Sequence, residues 1–259
     1  ILNNLEFDHA DIFADLAAIE TQFHHLVRTI PASGRIVANA REDSLKRVIE
    51  RGCWSELEWF SDAAQWSVAT GASEAEAVFS LGAVEQGRAE MPLAGSHNRE
   101  NALAAIAAAR HVGVTPAQSI ASLARFRGIK RRLELRGVVN GISVYDDFAH
   151  HPTAITLTVG GLRRREPKGR ILAVLEPRSN TMKLGVMKAQ LPASLAEADA
   201  VFCYGAGLGW DAAEALAPLG ERACAYDALD ALVADVTAAA RPGDHILVMS
   251  NGGFGGVHQ

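Results

Sequence analysis

Between residues 142 and 249, short apolar runs return at helix-length intervals: ISVY, RILAVLE, AVFCY, RACAY and HILVMS. Each is strand-sized and bounded by polar or glycine-containing turns. The stretches between them carry helical spacing, at about 152–165, 184–198, 211–217 and 227–240. A chain that alternates in this way is predicted to lay its strands parallel in one sheet and to cover both faces with helices. The expected class is α/β, with a Rossmann-like, mostly parallel sheet in the second half. Ligands of such sheets bind beyond the carboxyl ends of the strands, which here means residues 176–180, 204–209 and 250–256. Asn140 and Gly141, between alternating apolar runs, predict a tight hairpin ahead of the alternation.

The first half predicts a mixed α/β unit. Ile12, Leu16, Ile19, Phe23, Leu26, Val27 and Ile30 fall at helical spacing and would form one buried stripe, ended by Pro31 and Gly34. RIVANA reads as a strand and SLKRVIERG as a helix; WSELEWF and QWSVAT read as strands, although helix also fits such short runs. GSHNRENALAAIAAARHVGV predicts an Ala-rich helix stopped at Gly113, and Thr115 followed by Pro116 opens another. The basic, glycine-containing RFRGIKRR places a domain boundary near residue 127, dividing the chain into 1–127 and 128–259. ILNNLEFDHAD, with no initiator Met, reads as the end of a buried strand with His9 between Asp8 and Asp11 at its tip. The chain stops at Gln259 just after a glycine-rich turn, and both ends read as cuts in a longer protein.

A net charge of −5 offers no footprint for nucleic acid or an anionic membrane surface. No apolar run approaches the ~20 residues of a spanning helix. Cys53, Cys203 and Cys224 are too widely spaced for a CxxC pair, so neither a disulfide framework nor a thiolate zinc site is expected. A reducing, cytoplasmic setting fits best.

GAGLG at 205–209 lacks the GxGxxG spacing of a dinucleotide loop, and no GxxxxGK[ST] occurs in the chain. SNGGFGG has several unobstructed backbone amides; an anion cradle and a plain glycine-rich turn fit it equally well. The densest polar cluster is YDDFAHHPT, residues 145–153. Asp146 and Asp147 suit backbone caps, a metal, or a ribose or phosphate-bound water; His150 and His151, being adjacent, need not face one ligand. His9 is equally ambiguous, since imidazole commonly ligates zinc whereas magnesium prefers oxygen. A metal-dependent hydrolase built on His9, Asp147, His150 and His151 is one reading of these groups. A non-catalytic nucleotide- or peptide-binding module is another.

Taken in order, LNNLEFDHAD, GSHNRENALAA, GIKRRLEL and VYDDFAHHPTAI resemble the Mur ligases, the ATP-dependent acid–amino-acid ligases of peptidoglycan synthesis. Their order resembles the second part of the family's central ATPase domain followed by its C-terminal domain. LEPRSNTMKLG and MSNGGFGGVH are most like the muropeptide-recycling branch; the alanine-adding branch shares the turn at 145–153. The resemblance implies ATP and magnesium as cofactors, and UDP-N-acetylmuramate and a muropeptide as substrates, with no nucleic acid or membrane partner. Residue by residue, it implies His9 as a magnesium ligand and Asn98 and Asn101 as contacts to the adenine side of ATP. It implies Arg132 reaching the ATP phosphates and Asp147 fixing the nucleotide, with His150 in the same turn. Arg178, Ser179 and Asn180 sit where the family's incoming amino substrate binds, and an arginine suits its carboxylates. The family's phosphate loop and acidic metal ligand would lie upstream of Ile1, so the 259-residue chain alone is expected to be inactive. No lysine occupies residues 22–24, where several relatives carry a carbamylated lysine; the alanine-adding branch lacks it too.

Overall fold

A computed structural model describes residues 1–73, 75–91 and 95–257. His258, which closes the MSNGGFGGVH segment, lies outside them. The chain divides into two compact units, Ile1–Arg127 and Gly128–Gln259.

The first unit runs α1 (Leu16–Thr29), β1 (Arg35–Asn39), α2 (Asp43–Glu50), β2 (Glu56–Phe60), β3 (Trp66–Thr70), β4 (Glu76–Leu81), β5 (Val84–Glu90), α3 (Ser96–His111) and α4 (Pro116–Leu123). Its five strands lie in sequence order, β1 to β3 parallel and β3 to β5 antiparallel. One apolar cluster joins Val37, Phe60, Trp66 and Phe79 to Leu103 and Ile106 of α3. A second joins Ile36 and Ala38 to Ile19 and Val27 of α1 and to Leu45 and Val48 of α2. Thr115 caps α4 in a full capping box with Gln118, as its Thr-Pro start implies.

Two expectations for this unit need correction, and one hairpin is new. ILNNLEF is not a full strand: Leu2 alone bridges to Ala38, although Leu2 and Leu5 are buried. Helix α1 begins at Leu16, where Asp15 caps it, so Ile12 lies outside the helix and is exposed, as is Leu26. The β4–β5 hairpin gives no period-2 signal because β5, VEQGRAE, carries three charges and only Ala89 in it is buried.

The second unit comprises β6 (Glu134–Val139), β7 (Ile142–Asp147), α5 (Pro152–Arg165), β8 (Ile171–Leu175), α6 (Asn180–Lys183), α7 (Leu191–Ser194), β9 (Ala200–Tyr204), α8 (Ala212–Leu216), β10 (Ala223–Tyr226), α9 (Leu229–Ala239) and β11 (His245–Met249). The strand order is β10-β9-β8-β11-β7-β6, and every pair is parallel except the β6–β7 hairpin. Asn140 and Gly141 turn that hairpin with φ of 52° and 76°, the left-handed pair the dipeptide supplies most readily. Strand β8 is buried throughout, as an interior parallel strand must be. The helix expected over 184–198 is instead reduced to a short 3₁₀ turn at Lys188–Gln190 and α7, with α6 lying ahead of that span. Gly185, at φ 74°, and Pro192 supply the breaks.

Candidate functional site

In the second unit, β11 lies between β7 and β8, with Met249 opposite both Asp147 and Leu175. The three chain exits that follow, at Phe148, Glu176 and Ser250, therefore emerge side by side. The register of parallel strands brings together residues more than seventy positions apart.

Asp146 and Asp147 end β7 and are both buried. The Asp147 Oδ1 accepts the Ala149 amide at 2.8 Å and the Thr158 hydroxyl at 3.2 Å, while Oδ2 accepts the Leu133 amide at 2.7 Å. Burial pushes the Asp147 carboxyl above its ordinary range; the Leu133 and Ala149 amides, the Arg132 charge and the Thr158 hydroxyl pull against it. A carboxylate has about four acceptor sites, so Oδ2 keeps one for a further donor. Thr158 sits on α5, and no sequence feature singled it out.

The KRRL turn packs against this strand end. Arg131 and Leu133 adopt φ of 59° and 46°, a left-handed backbone that leaves Arg132 between them exposed. Arg131 is thoroughly engaged: Nε donates to Asp146 at 3.4 Å, Nη2 donates to the Ser250 carbonyl, and its own carbonyl accepts the Phe148 amide at 2.9 Å. The Arg131 and Arg132 guanidinium carbons lie 5.1 and 5.7 Å from the Phe148 ring centre. His150 presents Nδ1 to the Phe148 carbonyl at 2.9 Å; a carbonyl only accepts, so Nδ1 is the donor in that bond. The structure thus brings together Arg132, Asp147 and His150 from the residues singled out above, and adds Arg131, Thr158 and Ser250.

Beyond β8, Arg178 and Lys183 line a cleft of about 90 Å³ with Glu176, Pro177, Tyr204, Ala206 and Leu208. Ser179 caps α6, its hydroxyl accepting the Met182 amide at 3.3 Å, and Asn180 is the first residue of that helix.

In the first unit, Asn98 and Asn101 stand three residues apart at the start of α3, and the Asn101 side chain accepts a hydrogen bond from Asn3. The Asn3 carbonyl in turn accepts from the Asn39 side chain at 3.1 Å, at the end of β1. Sequence reading missed Asn3 and Asn39; the quoted NNLEF held the first without marking it. His9 is exposed in a left-handed turn with φ 54°, its carbonyl accepting the amides of Ile12 and Phe13. Among the described residues no three His, Cys, Asp or Glu side chains group to hold a metal. His9 is a single donor, and by itself does not make a magnesium site.

Residues 1–109 match the Mur ligase middle domain and residues 131–252 match the Mur ligase glutamate ligase domain. The chain belongs to the Mur ligase family. Over its whole length it is 52% identical to the UDP-N-acetylmuramate–L-alanyl-γ-D-glutamyl-meso-2,6-diaminoheptandioate ligase of Escherichia coli K12. The chain spans 57% of the length of that relative. A crystal structure of a murein peptide ligase from Psychrobacter arcticus is similar over the whole chain and 55% of its own, at 38% identity and a TM-score of 0.73. A UDP-N-acetylmuramate–L-alanine ligase of Rubrobacter xylanophilus is 32% identical across 80% of the chain and 47% of its own length. The Mur ligase resemblance and the α/β class with a mostly parallel second sheet both hold. No helix among the described residues is long and apolar enough to cross a membrane.

Proposed function

We propose that this Mur ligase chain serves an ATP-dependent amide ligase that joins L-Ala-γ-D-Glu-meso-diaminopimelate to UDP-N-acetylmuramate in the cytoplasm, in peptidoglycan recycling. The observation that carries the proposal is the contrast in likeness: 52% identity over the whole chain to a ligase named for that tripeptide, against 32% to one named for L-alanine.

In this reading the lactoyl carboxylate of UDP-N-acetylmuramate attacks the γ-phosphorus of ATP, ADP leaves, and an acyl phosphate forms. The neutral amine of the peptide's L-Ala then attacks the acyl carbon, an amide forms, phosphate leaves, and the amine releases a proton. Such transfers ask for placed positive charge more than for a protein nucleophile. Arg132 is the cation for the phosphates. Asp147 holds the Leu133 amide and thereby the turn carrying Arg132, and is the carboxylate proposed to fix the nucleotide. His150 lies in the same turn, its ring held by the Phe148 carbonyl. Asn98 and Asn101 face the adenine, and Arg178, with Ser179 and Asn180 around it, faces the peptide. Magnesium would supply further positive charge to the phosphates, and His9 is the residue of this chain proposed to ligate it.

The deciding experiment is an ATP-dependent ligation assay on the product of the complete reading frame, offering L-Ala or the free tripeptide as amine. Tripeptide preference supports the proposal. Preference for L-Ala moves the protein to the alanine-adding branch, and ATP-independent hydrolysis removes the ligase reading altogether.

A further inference from the structure

The SNGGFGG turn after β11 is spoken for from within the protein. Ser250 is fully buried, and its hydroxyl donates to Glu176 Oε2 at 2.6 Å while accepting the Gly252 amide at 2.9 Å. Its own amide donates to the Asp147 carbonyl at 3.2 Å. One amide on which an anion cradle would draw is therefore already used. Gly252 lies directly under Arg178: a Cβ added there would sit 2.7 Å from both Cδ and Nη1 of that side chain. The backbone at Gly252 is outside the left-handed region, so what the missing Cβ provides is room for the guanidinium, not a turn conformation. Glu176, tethered by Ser250, stands 3.9 Å from Arg178 Nη1.

We propose that residues 250–252 form the seat of Arg178, with Ser250 and Gly252 as positioning residues, and that the seated Arg178 and nearby Lys183 recognise a carboxylate of the peptidic amine substrate. The inference rests on the ligase reading only for the choice of an acidic peptide. Arg178 is half exposed, and Glu176 and the Gly252 surface close off part of the space its guanidinium could sweep, so part of the ordering cost of gripping a carboxylate is met before binding.

Titration of the free tripeptide L-Ala-γ-D-Glu-meso-diaminopimelate into the product of the complete reading frame tests this, with ATP titrated in parallel. Arg178→Ala weakens peptide binding by about tenfold or more, the loss of a charge-assisted contact. Gly252→Ala, which the backbone tolerates, weakens it by roughly the same order while ATP affinity stays constant. In an Arg178→Ala background, Gly252→Ala has no further effect, because its target is gone. A Gly252→Ala loss that persists without Arg178, an equal loss of ATP affinity, or no tripeptide binding by the unaltered protein would each overturn the seat. An unaltered protein that binds the tripeptide but forms no amide leaves the seat standing and removes the ligase reading instead.

Discussion

The amide of Leu133 donates to the carboxylate of Asp147 across 2.7 Å, tying the turn that opens the second unit to the end of its second strand. Asp147 is 3% exposed, so its bonds to Leu133, Ala149 and Thr158 have little water to replace them. Asp147→Ala should leave two amides without an acceptor and cost about 2–6 kcal/mol, at ~1–3 for each unmet group. Urea unfolding followed by circular dichroism would read this as a lower midpoint with unchanged slope. The residue is structural as well as a candidate nucleotide contact, so activity lost in Asp147→Ala says nothing about catalysis until folding is measured.

Arg131 and Arg132 are adjacent and should behave oppositely. Arg131 is held by Asp146, the Ser250 carbonyl and the Phe148 ring, so Arg131→Ala lowers stability by about 1–3 kcal/mol. Arg132 is exposed, its guanidinium beside the Phe148 ring and close enough for its charge to act on Asp147. Arg132→Ala should leave the melting temperature nearly unchanged and lower kcat of the complete protein by roughly 100-fold or more, the usual cost of one transition-state cation. A fall in melting temperature for Arg132→Ala, or unchanged kcat, would take Arg132 out of the phosphate site.

In the first unit, Glu58 accepts from three directions: the Trp66 indole at 2.6 Å, Arg35 at 2.9 Å and Arg110 at 3.0 Å. It joins β1, β2, β3 and α3 at one point. Glu58→Ala leaves the fully buried Trp66 N–H without its acceptor, while Arg35 keeps Glu56 and the half-exposed Arg110 turns to water, and should cost about 1–3 kcal/mol. Trp66 fluorescence in a urea series reports both the loss and the changed surroundings of the indole.

How much of this was legible in the sequence follows from the range of the interactions. The alternation from β7 to β11 could be read because each strand and helix is set by its own apolar spacing. The Asn140–Gly141 turn and the Thr115 cap could be read because each is completed within four residues. Gly185 and Pro192 were equally visible, and their breaking of the expected helix was a local signal overlooked. The partnership of Ser250 with Glu176 and Asp147 could not be read, since it depends on β11 inserting between β7 and β8. For the same reason Arg178 was named as a binding residue from its motif, while the Gly252 surface beneath it was not.

Acid should loosen the second unit through Asp244. Burial alone would push this carboxyl up, but Arg170, donating through Nε at 3.0 Å and Nη2 at 2.5 Å, and the Arg241 amide at 2.7 Å outweigh it. The balance holds Asp244 below the ordinary aspartate range. Between the depressed folded value and the unfolded one near 3.9, the unfolded chain binds more protons, so stability rises with pH across that window. The contribution is complete above about pH 4 and is lost as pH falls through the folded value. Asp244→Asn should therefore lower stability by about 1–3 kcal/mol at pH 7 and by less at pH 3. Denaturant midpoints measured from pH 2.5 to 7 would show the variant's profile flattened at the acid end, and a constant offset between the two proteins would exclude Asp244 as the titrating group.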